Sequence, residues 1–95
     1  MKAFAATGIA APLTASIELV EVDEPRPGPG EAVVAVEAYS VNRGEALSLN
    51  GRFGPGTPAG TRFGQDVAGR VVQAAADGTG PAVGTRVVAW ASGGW

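Results

Sequence analysis

Ninety-five residues suffice for one small domain that hides about two-thirds of its unfolded surface, and 45% hydrophobic against 17% charged residues excludes a disordered chain. The absence of Cys and His excludes a disulfide framework, a Cys/His zinc site, a Ser-His-Asp triad and a thiol nucleophile, while the single Lys excludes a Walker-type phosphate loop. A net charge of −2 with no dense basic run makes nucleic acid an unexpected partner.

Residues 1–7 read as a short strand ending at Gly8, and Ala10-Ala-Pro12 breaks it. Residues 17–22 read as a second strand whose apolar and acidic residues alternate irregularly, which places it at a sheet edge. Three prolines and two glycines in residues 23–30 predict a stiff connector, since each Pro fixes φ and removes a donor. Residues 31–41 form the strongest strand, with Val33, Val34, Val36, Tyr39 and Val41, and a run this apolar predicts burial on both faces for part of its length. At Asn42 the texture changes. Asn42-Arg-Gly-Glu45 has the spacing of a capping box, Ala46, Leu47 and Leu49 give a short helix its apolar face, and Asn50-Gly51 ends it. Residues 51–64 predict a loop with five glycines and two prolines, a length often tied to function, which acts as a mobile cover or a simple crossing. Residues 65–76 predict a strand in which Gly69 marks a bend or a close backbone approach. Asp77-Gly-Thr-Gly-Pro81 predicts a turn, and residues 85–91 the last strand. Five strands and one short helix make the class mainly β.

Several residues stand out as candidates for a site, each with a plainer reading beside it. Asn42 and Glu45 are explained as a helix cap, but a strand-to-helix junction also places a carboxamide where it can bond a ligand. Asp66 is a turn or surface position, a partner for Arg62 or Arg70, or a general base if a second polar group lies within reach. Phe53 and Phe63 are core or loop anchors. Gly54-Pro-Gly56 is not a dinucleotide fingerprint, because no apolar strand leads into it and no helix opens after Gly60. No run approaches eighteen apolar residues and no charged-then-apolar leader opens the chain, so no membrane association is expected and the default address is the cytoplasm.

Three stretches in order carry more. They are Met1-Lys-Ala with the Pro-Gly-Pro-Gly-Glu-Ala-Val-Val-Ala-Val block at 27–36, Tyr39-Ser-Val-Asn-Arg-Gly-Glu45, and Gly64-Gln-Asp-Val-Ala-Gly-Arg-Val71 followed by Gly84-Thr-Arg-Val-Val88. Together they resemble the N-terminal catalytic domain of the medium-chain dehydrogenases/reductases, and within that superfamily the zinc-free NADPH:quinone oxidoreductase branch. The resemblance implies a GroES-like β-barrel with one short helix, NADPH as cofactor, no zinc, and a small quinone or enone as substrate. It implies that Asn42 lies beside the nicotinamide, with Glu45 where the family has an aspartate and Phe53 where many members have a tyrosine near cofactor and substrate. Asp66 fits the family's Gly-x-Asp-x-Ala-Gly pattern, with a mostly structural role. No residue is assigned a catalytic role.

Family members continue into a Rossmann domain and then return to complete the barrel. The chain is therefore expected to be the substrate-side domain of a quinone or enone reductase, with the barrel incomplete, the Rossmann domain outside residues 1–95, and no turnover of its own. An incomplete barrel exposes an unpaired strand edge, which makes a homodimer a further expectation. The competing reading is a stand-alone β-barrel binding or assembly module, like a co-chaperonin subunit. Against it, residues 51–64 carry no Ile, Val or Leu with which to build an aliphatic recognition tripeptide.

Overall fold

A computed structural model of the chain describes residues 1–51 and 57–95. In chain order these form β1 (Lys2–Ala6), a 3-10 turn (Leu13–Ala15), β2 (Ile17–Glu21), β3 (Val33–Tyr39), α1 (Arg43–Leu49), β4 (Asp66–Gln73) and β5 (Arg86–Trp90). Every strand expected from the sequence is present, as is the helix. β1 and β2 pair as an antiparallel ribbon, and β3, β4 and β5 form an antiparallel sheet in that order. The architecture is thus mainly β, two sheets whose strands do not close a barrel among the described residues. No helix among them is long and apolar enough to cross a membrane.

The ribbon is built on small residues. Ala3, Ala5 and Ala6 are buried, and their short side chains let the glycine-rich segment that follows residue 56 lie directly alongside β1. Ala6 donates its N–H to Thr61 O and accepts from Gly60 N–H, at 2.9 and 2.8 Å. β2 pairs with β1 alone and leaves Leu19 more than half exposed, as its irregular pattern suggested.

In the three-stranded sheet the burial differs from expectation. The valine run of β3 predicted two buried faces, yet residues 35–39 are all exposed, Val36 and Tyr39 among them. The reason is position: β3 is an edge strand with β4 as its one neighbour. The central strand β4 takes the buried role, alternating Val67, Gly69 and Val71 inward. Gly69 stands where the backbones come closest. A Cβ there would sit 2.0 Å from Ala35 O, and the register slips beside it, Val36 facing Gly69 while Ala38 faces Ala68. The intervening Glu37 is the extra residue of a bulge. Its carboxylate reaches Arg70 and Arg86 at 3.5 and 3.9 Å, an exposed pairing of small energetic value.

One cluster joins ribbon, helix and sheet: Ala6, Leu49 and Trp95, with Phe4, Ile17 and Phe63 packed against them. The Trp95 indole N–H donates to Ser40 O at 3.0 Å, and the ring meets Phe63 and Tyr39 at centroid distances of 5.9 and 6.2 Å. Outside this cluster Ala3, Ala5, Val67, Val71 and Ala75 are also buried, yet the chain as a whole is extended. The radius of gyration is 14.6 Å, against about 12 Å for a compact chain of this length, with extents of 43 × 23 × 21 Å. Val88 and Trp90 on β5 are 85% and 78% exposed.

After β4 the chain turns at Asp77, whose N–H donates to Pro29 O at 3.0 Å and so ties the turn to the proline connector. Its carboxylate accepts the Thr79 hydroxyl at 2.6 Å and the Thr79 N–H at 2.9 Å. These two bonds, the hydroxyl first, hold the Asp77 carboxyl below its ordinary value. A depressed carboxylate contributes stability above its unfolded value, about 3.9, and that contribution is lost as pH falls through the folded value. In Thr79→Ala the Asp77 midpoint, read by carboxyl NMR, is expected to rise toward the ordinary value; an unchanged midpoint would show that the hydroxyl is not the cause.

The contrast between two glycines tests the packing account. Gly69→Ala must spread β3 from β4 and is expected to cost about 2–3 kcal/mol, a Tm loss of roughly 10–20 °C in a domain this small. Gly44→Ala on α1 meets nothing within 4 Å and is expected to be neutral or to stabilise by up to about 1 kcal/mol. Equal effects in thermal melts would refute the close-approach reading of Gly69.

Candidate functional site

The junction between β3 and α1 holds the polar residues singled out above. Asn42 is the N-cap, with extended backbone, and its C=O accepts from Ala46 N–H at 3.3 Å. Its side chain, however, makes no capping bond. The capping box expected from the spacing is replaced by a side-chain bridge. Asn42 Nδ2 donates one N–H to Asp66 Oδ2 at 2.7 Å and the other to Glu45 Oε1 at 3.2 Å. Two carboxylates that both need donors outcompete the helix N–H groups for this carboxamide. At the far end of the helix the expected stop is formed: Asn50 N–H bonds Ala46 O, and Gly51 takes φ +73°.

Glu45 and Leu49 lie one helical turn apart and are the two buried residues of α1, so the same face carries a carboxylate and an apolar anchor. Ala46 and Leu47 are half-buried. Asp66, exposed at the start of β4, accepts from Ser40 Oγ at 3.1 Å as well as from Asn42. The Arg partners considered for it are engaged elsewhere. Arg62 Nη2 donates to the carbonyls of Gly93 and Trp95, and Arg70 pairs with Glu37 and Gly84 O. The single Ser40 hydroxyl proton serves Asp66 better than Asn42 Oδ1, which lies 3.4 Å away. Glu45 Oε2, buried without a partner among the described residues, is the uncommitted acceptor of the group.

Beside this bridge opens a cleft of about 440 Å³, within the range of small-molecule sites. One wall is the first turns of α1, with Asn42, Gly44, Glu45 and Ser48; the other is residues 62–65 and 90–93. Gly64 shapes the second wall. Its φ is +106°, and a Cβ there would come within 2.6 Å of Trp95 N and Cδ1. The Gly64-x-Asp66 spacing thus combines a backbone turn against Trp95 with a carboxylate aimed at Asn42.

Of the expected site residues, Asn42 and Glu45 meet at the cleft. Phe53, with Gly54-Pro-Gly56 and the tip of the expected cover, lies outside the described residues. Phe63 is the anchor one reading gave it, lining the cleft while packing on Trp95. Arg62 and Ser40 were missed. Nothing in the local sequence separates Arg62 from the other arginines, and Ser40 is marked only by its place before Asn42. Among the described residues no group of three or more carboxylates could hold a metal ion.

The bridge makes a sharp substitution test. Asn42→Ala removes two hydrogen bonds and is expected to cost about 1–2 kcal/mol. Asn42→Asp replaces both donors with a third carboxylate between two others and is expected to be clearly worse, seen as a lower urea midpoint at neutral pH. An Asp variant as stable as the Ala variant would mean that the bridge is not formed.

The model of the alcohol dehydrogenase GroES-like domain matches residues 28–94, which contain β3, α1, β4, β5 and every lining residue of the cleft. No curated protein and no solved structure matches the chain. The family match spans well over half of the 95 residues. On that match, the chain belongs to the GroES-like domain family of the alcohol dehydrogenases.

Proposed function

We propose that the chain is the substrate-side domain of a zinc-independent NAD(P)H-dependent quinone or enone reductase. The observation that carries this reading is the Asn42 carboxamide, held by Glu45 and Asp66 at the mouth of a cleft sized for a small molecule. The alcohol dehydrogenase family supports an oxidoreductase role. The lack of any Cys or His supports chemistry without a zinc ligand set of that type.

When bound, the cofactor supplies a hydride from its nicotinamide ring. The protein's part is to position and to shield. Asn42 lines the cleft and is fixed through both of its N–H groups, so its carboxamide is held in one orientation there. Phe63 and Trp90 line the cleft and displace water from the ring faces. Its described lining includes no His, Cys or Tyr, so the proton that completes reduction comes from solvent. Turnover requires a dinucleotide-binding domain in addition to residues 1–95, which contain no Gly-x-Gly-x-x-Gly.

Amide-shift mapping with 1,4-naphthoquinone tests the reading. Shifts are expected at residues 42–48, 63–65 and 90–93, with affinity several-fold weaker in Asn42→Ala, and the chain alone is expected not to oxidise NADPH. Absence of shifts at the cleft, or shifts unaffected by Asn42→Ala, would reject it.

A further inference from the structure

Three strand edges are open among the described residues, and two of them are guarded. β2 carries Glu18 and Glu21 within its five residues, and β3 is interrupted by the bulge at Glu37. The third, β5, is a regular run of five residues without Pro, Gly or bulge, and Arg86 is its one charge. The ladder with β4 fixes its backbone phase. Ala91 N–H bonds Gln65 O at 2.6 Å, and Thr85 O accepts from Val71 N–H at 3.0 Å. Residues 85, 87, 89 and 91 therefore turn their backbone polar groups toward β4, while Arg86, Val88 and Trp90 turn theirs to the open side. The same three residues share one face of the sheet, opposite Arg70, Ala68 and Asp66 of β4. Val88 and Trp90 are the two most exposed large hydrophobic residues described.

We propose that β5 is the contact of a two-fold dimer of this chain, paired antiparallel with β5 of a second copy so that Val88 faces Val88. In that register Arg86 faces Trp90 of the second copy, and every outward N–H and C=O of the strand meets a partner. A slip of one residue would set outward groups against residues whose groups already bond β4, and a slip of two would leave an end pair unmatched. Charge selects the same orientation. The Arg86 end of the shared face carries Arg70 and Arg86 against Glu37 and is positive, whereas the Trp90 end carries Asp66 and is negative. Antiparallel pairing brings each end against its opposite: the Arg86 guanidinium lies on the indole of the second copy, with Asp66 of that copy behind it. Parallel pairing would set Arg86 beside Arg86. Within its own chain Arg86 is held only by an exposed 3.9 Å contact with Glu37, which competes weakly. The pairing uses the same edge on both copies, so it closes at two.

Sedimentation equilibrium of the whole chain tests the proposal. The mass is expected to rise from that of one copy to that of two with increasing concentration, and to stop there. Val88→Lys sets two ammonium groups against each other at the two-fold axis, and Val88→Glu two carboxylates; each variant is expected to stay folded and single. An equimolar mixture of the two variants is expected to restore the dimer, because this register alone places residue 88 against residue 88. In the unaltered chain, hydrogen exchange at the Arg86, Val88 and Trp90 amides is expected to slow about tenfold when about nine chains in ten are paired. A single-copy mass up to about 1 mM, beyond which association is too weak to be specific, overturns the dimer. A mass that climbs past two copies marks open-ended pairing and overturns it as well. A dimer that survives Val88→Lys uses another surface, and a mixture that fails to associate refutes the register. The exchange measurement needs no variant, so a Val88→Lys chain that fails to fold does not remove the test: a dimer whose amides at 86, 88 and 90 exchange as fast as in the single chain overturns the role of β5.

Discussion

Trp95 holds together parts of the chain that share few other contacts. Its ring lies between Phe63 and Tyr39 and packs with Leu49 of the helix and Ala6 of the ribbon. Its indole N–H reaches Ser40, at the end of β3, and its backbone N–H and C=O bond to Phe63 and Phe4. Truncating a buried aromatic of this kind commonly costs about 3–5 kcal/mol, a large share of what a small domain has. Gly64 makes room for it, and Gly94 lets the chain just before it pass close to Val67. The indole thereby also ties the end of β3 to Phe63.

The polar site follows from this packing. Once Leu49 faces the core, the residue one helical turn earlier must face inward too, and that residue is Glu45. A buried carboxylate needs donors. Asn42 supplies one of them and in doing so is drawn from the helix cap to the space between Glu45 and Asp66. Asp66 is brought there by the ladder, where Ser40 N–H bonds its carbonyl at 3.2 Å. The site is therefore a by-product of register as much as of local sequence.

Much of the fold was legible because its signals are local. Valine runs and glycine or proline punctuation mark five strands, and Asn50-Gly51 marks where the helix stops. What escaped depends on distant partners. The valines of β3 cannot announce that the strand lies at an edge, so its burial was overread. The spacing of Asn42 and Glu45 fits a cap equally well whether or not a carboxylate 24 residues on competes for the amide. Arg62 is chosen by its contacts with residues 93 and 95, which no local pattern encodes. Gly69 was the favourable case, since a glycine within a strand can be read physically before its neighbour is known.

The open arrangement also affects how the chain moves through solvent. With one principal extent about twice the other two, the molecule presents more friction than a sphere of equal mass. It will diffuse and tumble as if it were heavier, and its elution volume in gel filtration will correspond to a larger globular standard. Mass is therefore best read by a method indifferent to shape, such as light scattering or sedimentation equilibrium.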